Sequence, residues 1–341
     1  MNNTELANLD GLRTVAIVTV LIDHLVPTLH YQLGFGSPML LALTAHIGQA
    51  GVLAFFVHTS LVLMFSLERL AEKSSSIALG FYIRRFFRIY PLSWVVIACA
   101  LVFGLPSNTW RTPEIMSPQI VMANLLLVQN VFTKKQVIQP LWSLAYEAQM
   151  YIVLPALYYL ARRRLGGAYI FMVTALFCIF GFWLASKTGH LNMAAYVPCF
   201  LAGVFCFATR KYVPRVLPAQ FWLVTVVSLV AVYSWVHRAE PEPVYWMGWI
   251  YCFVLAILIN LFSDSSFVGL NWVTHRIAKY SYGLYLFHVP VLYLIFSVFQ
   301  VKDPFVASAI LFSLTLVVSV LAYHFLEEPF IELGRRFGGG R

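Results

Sequence analysis

The chain has 341 residues, and its 23 Lys and Arg with 14 Asp and Glu make only 11% charged side chains, against roughly 25% in an ordinary globular domain. Hydrophobic residues reach 60%, more apolar surface than one water-soluble core can bury, so a soluble fold is excluded and lipid must cover the remainder. The formal charge of +9 does not point to nucleic acid, because the basic residues fall in short gaps between apolar runs and not in tracts interleaved with aromatics.

The expected fold is therefore all-α and polytopic, with the bilayer as its first partner. In chain order, the apolar runs near the ~20 residues a spanning helix requires are 11–29, 45–67, 86–105, 141–161, 168–186, 191–208, 219–237, 244–262, 281–299 and 305–327. The opening MNNTELANLD is acidic and lacks both a basic n-region and an Ala-x-Ala site, so the first run is expected to stay as a membrane helix. A further run, 118–131, is short. If it does not cross, seventeen Lys and Arg fall on one side, among them Arg13, Lys73, Arg162, Arg163, Arg164 and Arg341. Six remain on the other: Arg111, Lys134, Lys135, Lys187, Arg238 and Lys302. The positive-inside rule then predicts ten crossings, both termini cytoplasmic, and a re-entrant or interfacial segment at 118–131. One membrane domain over 1–341 is expected, with no appended soluble domain.

The five cysteines, Cys99, Cys178, Cys199, Cys206 and Cys252, are odd in number and irregularly spaced inside apolar runs, which signals neither a disulfide framework nor a zinc site. No cluster of His, Asp and Glu with the spacing of a metal-ligand set is expected, so no metal is expected.

Ionisable side chains inside a bilayer are costly and mark function by default. In the first run Arg13 and His24 are eleven positions apart, about 20° out of register after three turns, so they share a helix face ~16 Å apart. Asp23 adjoins His24 and is placed to orient or charge-stabilise its ring. The same pattern also fits a snorkelling arginine and a packing histidine. In FYIRRFFRIYPLSW, Arg85 and Arg88 at i and i+3 project from one face, where paired guanidiniums suit phosphate or ordinary anchoring.

In QPLWSLAYEAQMYIVLPAL, Glu147 sits at a depth similar to that of His24, a carboxylate and imidazole pairing that suits proton transfer. Trp142, Ser143 and Tyr146 offer donors and an aromatic surface for a sugar, although Trp and Tyr also populate interfacial belts. His58, His288 and His324 are weaker candidates, with His288 and His324 expected in the cytoplasmic half, away from His24. Glu327 and Glu328, beside the cytoplasmic arginines, are expected to form structural ion pairs.

Together these residues resemble the acyltransferase-3 family of membrane O-acyltransferases. LDGLRTVAIVTVLIDH resembles its Arg then His motif in the first helix, RRFFRIYPL its Arg-x-x-Arg element, and WSLAYE its Trp-Ser-Leu then Glu segment. SYGLYLFHVPV and HFLEEPFIEL resemble its late-helix motif and its Glu-x-Pro ending. The second helix departs, reading FFVHTSLVL with His58, Thr59 and Ser60 where the family has Leu, Ser and Gly.

The resemblance implies an O-acetyltransferase acting on a saccharide or glycolipid of the envelope. Acetyl-CoA would be the donor, its phosphates on Arg85 and Arg88 and its path lined by Arg13. His24 would act as general base or accept the acetyl group itself, with Asp23 or Glu147 stabilising the imidazolium. Tyr146 and Asn124 are the candidate oxyanion donors. From the residues alone, a transporter or flippase using intramembrane His, Asp and Glu as a proton relay is the alternative.

Overall fold

The computed structural model describes residues 7–72, 76–107, 115–188, 192–238 and 245–338. Lys73, Arg111 and Arg341 of the charge pattern, and the first six residues of the acidic opening, lie outside the described residues.

The architecture is all-helical. The first helix, α1 (Ala7–Leu33), carries Asp10 in its first turn, where a carboxylate favours the dipole. It ends at Gly34, whose φ of 66° permits the left-handed cap and whose N–H donates to the His30 carbonyl at 2.8 Å. Next come α2 (Pro38–Thr44), α3 (Ile47–Ala71) and α4 (Ile77–Val102). The run at 118–131 forms two short helices, α5 (Pro118–Leu125), opened by a Ser117 cap and Pro118, and α6 (Gln129–Phe132). Eight residues rise only ~12 Å, too little to cross a ~30 Å hydrocarbon core.

The remaining helices are α7 (Leu141–Ala161), α8 (Gly166–Thr188), α9 (Val197–Thr209), α10 (Trp222–His237), α11 (Tyr245–Leu261), α12 (Val268–Tyr293), α13 (Pro304–Ala322) and α14 (Glu328–Phe337). Asp303 caps α13, its Oδ1 accepting from the Phe305 and Val306 N–H groups at 2.9 and 2.8 Å. Two π-helical turns, Leu294–Val298 and Tyr323–Glu327, follow α12 and α13.

Among the described residues, seven helical stretches are long and apolar enough to cross a bilayer, and Met193–Thr209 and Tyr245–Leu261 are shorter apolar helices. The α7 helix, 21 residues long and carrying Glu147 and Gln149, is not among them. Large apolar side chains such as Phe171, Leu176 and Ile179 on α8 stand exposed, as a lipid-facing surface requires. This is a multi-pass membrane protein.

The chain divides into two compact units. One comprises Met1–Val20, Ala42–Glu72 and Ile152–Ala278. Its helices approach closely through small residues, as is usual where lipid supplies no hydrophobic drive. A Cβ on Gly203 of α9 would meet Ser60 Oγ at 2.0 Å and the Val57 carbonyl oxygen at 2.2 Å on α3. Phe56 and Phe200 stack beside that contact at 4.4 Å. Arg210 grips Glu68 with one nitrogen at 2.8 and 2.9 Å from its two oxygens and covers the Phe207 ring at 3.8 Å.

The other unit comprises Leu21–Leu41, Lys73–Tyr151 and Lys279–Arg341. Leu25 and Leu29 of α1, Val291 and Leu292 of α12, Ile295, and Ala307 and Leu311 of α13 form one buried apolar cluster there. The α14 helix lies on α4, where a Cβ on Gly334 would meet Phe87 Cβ at 2.9 Å and the Phe87 ring stacks on Phe330 and Phe337.

Candidate active site

The second unit holds a file of polar side chains on membrane helices. At its head, the rings of His24 and His288 meet at 4.7 Å between centroids, with planes at 76°. The apolar cluster next to them explains the meeting: Leu25 is one residue from His24, Val291 is three from His288, and both are buried in that seam. Asp23 Oδ2 lies 3.7 Å from His24 Nδ1. His24 remains about one-fifth exposed, whereas His288 is buried.

The tautomer of His288 follows from its neighbour. Its Nδ1 is 2.6 Å from the Tyr285 carbonyl oxygen, and a carbonyl only accepts, so in the neutral ring Nδ1 carries the proton and Nε2 carries a lone pair. That Nε2 is buried and has no hydrogen-bond partner among the described residues.

Below this pair, Ser143 on α7 and Tyr285 on α12 share a hydrogen bond of 2.7 Å between hydroxyls. One turn further along α7, Glu147 accepts a bond from the Tyr151 hydroxyl. Tyr282 donates to the Ile89 carbonyl at 2.7 Å, and Arg88 lies over its ring at 5.5 Å. Arg88 Nη1 is also 2.5 Å from Glu327 Oε2. Arg85, half-buried on the preceding turn of α4, lies within the electrostatic reach of Glu147, Tyr151, Arg84 and Arg88. Tyr282, Tyr285 and His288 recur every third residue, a stripe ~9 Å long on one side of α12. The file thus runs from imidazoles through hydroxyls and a carboxylate to guanidiniums.

The residues expected from sequence distribute as follows. Asp23 and His24 adjoin, and Ser143 enters the file through Tyr285. The Glu147 carboxylate is bonded to Tyr151 of its own helix. Trp142 and Tyr146 are half-buried, with rings edge to face at 6.3 Å. Arg13 lies in the first unit, half-buried, and its charge is felt at His58 of that same unit.

Two expectations need correction. His288 does not sit away from His24. Its helix starts at Val268, thirteen residues before the predicted start, because the charged segment containing Arg276 and Lys279 is helical too, and this carries His288 twenty residues along it. Asn124 is not poised as an oxyanion donor: its amide donates to Ile120 and Lys135 carbonyls at 2.8 and 3.0 Å and accepts from Val137 N–H at 3.0 Å, fastening the loop. The ion pairs expected of the two glutamates form, Glu328 with His324 at 2.9 Å and Glu327 with Arg88 at 2.5 Å. The sequence reading also missed Tyr282, Tyr285 and Tyr151. The three-residue spacing of polar groups in SYGLYLFH was the available signal for the first two. Among the described residues, no group of three or more His, Cys, Asp or Glu is placed to hold a metal ion.

The arrangement can take a proton at an imidazole, hold an anion at guanidiniums and present hydroxyls between them. Peptidoglycan O-acetyltransferase OatA of Listeria monocytogenes is 25% identical over 94% of this chain and 55% of its own length. Acyltransferase MdmB of Streptomyces mycarofaciens is 26% identical over 84% of this chain and 79% of its own. The chain therefore spans little more than half the length of OatA. No solved structure matches it significantly. The acyltransferase-3 model, described as an acyltransferase domain, matches residues 6–324, nearly end to end, and the chain belongs to that family.

Proposed function

We propose that this protein is a membrane O-acyltransferase that moves an acetyl or other short acyl group from a cytosolic acyl-CoA to a hydroxyl of an envelope saccharide. The observation that carries the reading is the His24 site, an Asp-flanked, partly exposed imidazole at one end of a buried polar file whose other end is cationic. A catalytic base belongs where an acceptor can reach it, and guanidiniums belong where phosphates arrive. The peptidoglycan relative supports a saccharide acceptor. The ten-crossing topology with cytoplasmic termini is part of this reading, because it puts Arg84, Arg85 and Arg88 on the side where acyl-CoA is made.

In this mechanism the acceptor oxygen forms the new ester bond while its proton passes to an imidazole, and the C–S bond of the thioester breaks with its electron pair on sulfur. His24 serves as that base or first carries the acetyl group, and Asp23 stabilises its charged form. Arg85 is the leading phosphate ligand. Arg88 contributes second, since an incoming phosphate competes there with Glu327.

The test is acetyl transfer from radiolabelled acetyl-CoA in membranes bearing the wild type or His24→Ala. Base-labile glycan label with the wild type and none with the variant is expected. Equal labelling in both would remove His24 from the chemistry, and no labelling in either would remove the acetyl-CoA reading.

A further inference from the structure

Two imidazoles lie in contact where the proposed chemistry needs one proton acceptor and, along one of its two routes, one acyl carrier. The two rings are not equivalent. His24 is partly exposed and has a carboxylate 3.7 Å from Nδ1. His288 is buried, and its Nδ1–H is tied to the Tyr285 carbonyl at 2.6 Å. This bond fixes the ring orientation and leaves Nε2 as a bare lone pair with no partner among the described residues. Buried polar atoms without partners are rare in native proteins and call for an explanation such as a reactive role. A base whose second nitrogen is held by a carbonyl is the arrangement that keeps the correct tautomer in place.

Resting on the acyltransferase reading above, we propose that His288 Nε2 is the base that deprotonates the acceptor hydroxyl, and that His24 is the acyl carrier. In the first half-reaction an unprotonated His24 nitrogen attacks the thioester carbonyl. A C–N bond forms, the C–S bond breaks, and the departing sulfur takes up the proton that the other His24 nitrogen releases. In the second, the acceptor oxygen attacks the acetyl carbon while its proton passes to His288 Nε2. The C–N bond then breaks with its electron pair returning to His24, and His288 hands the proton to the adjacent ring. Both imidazoles end neutral, and the net change is thioester plus alcohol to ester plus thiol.

The experiment separates the half-reactions in purified protein reconstituted in lipid. CoA release from acetyl-CoA without acceptor is followed by thiol titration, and acetyl transfer to soluble peptidoglycan fragments by radiolabel. His288→Asn keeps an N–H donor for the Tyr285 carbonyl but has no base. It is expected to retain the stoichiometric burst of CoA while glycan transfer falls by about 10²- to 10⁴-fold, the usual span for a general base. His288→Ala is the second variant, with transfer restored by added imidazole. If His288→Asn keeps both half-reactions or loses both, His288 is not the acceptor's base. A wild type that transfers acetyl with no burst would overturn the carrier role of His24. A wild type inactive in both assays would overturn the acyltransferase reading itself.

Discussion

Arg88 and Glu327 hold one another across 239 positions of sequence, Nη1 2.5 Å from Oε2, with the Glu327 side chain only 1% exposed. The carboxylate reaches the arginine from the π-helical turn Tyr323–Glu327, whose extra residue per turn changes the direction of the side chains at its end, as such turns do near functional sites. The contact joins α4 to the last helical segment of its unit and sets how much positive charge the Arg-x-x-Arg element presents.

Glu327→Ala should therefore destabilise the protein by about 3 kcal/mol, because it leaves a largely buried guanidinium without its partner. Glu328→Ala removes an exposed pair with His324 and should cost about 0.5 kcal/mol or less. Thermal unfolding in lipid nanodiscs checks both. Equal losses would mean that the Arg88 pair is no more than a surface contact.

Gly203→Ala places a methyl group 2.0 Å from Ser60 Oγ and 2.2 Å from a backbone carbonyl. The serine can rotate away, but the carbonyl cannot, so α3 and α9 must separate at a cost of about 3 kcal/mol. Adding Ser60→Ala should recover less than half of that. Gly269→Ala meets nothing within 4 Å and is expected to be tolerated. Unfolding of the three variants side by side is the measurement, and a stable Gly203→Ala would disprove the close approach.

Ser143 is buried against Tyr285, the residue whose carbonyl holds His288. Ser143→Ala leaves the tyrosine hydroxyl without this partner and should lower kcat with little change in acceptor KM, since the serine acts by holding Tyr285 in place. Tyr285→Phe should do the same. In a double-mutant cycle the pair should couple by about 1 kcal/mol. A raised acceptor KM in Ser143→Ala alone would instead make the hydroxyl a direct saccharide contact.

Arg85→Ala should raise the KM for acetyl-CoA roughly tenfold or more while kcat changes little, the signature of lost ground-state binding. Its companion Arg88→Ala should unfold more easily as well as bind the donor less well. An unchanged donor KM in Arg85→Ala would end its assignment as the leading phosphate ligand.

Several features of this protein were legible in its sequence because they follow from local chemistry. Apolar run length and the scarcity of charge required membrane helices. The cost of intramembrane charge singled out Arg13, Asp23, His24, Arg85 and Glu147 as candidates for function. The short 118–131 run was too brief to cross on length alone. What tertiary structure decided was pairing. Helix α12 begins at Val268, before its apolar part, with Arg276 and Lys279 inside it, and only the three-dimensional register brings His288 to His24. Packing likewise assigned Arg88 to Glu327, Ser143 to Tyr285 and Asn124 to a loop. The period of one helix says which of its own residues share a face; which face of another helix lies opposite depends on the long-range fit of apolar seams such as that of Leu25, Leu29, Val291 and Leu292.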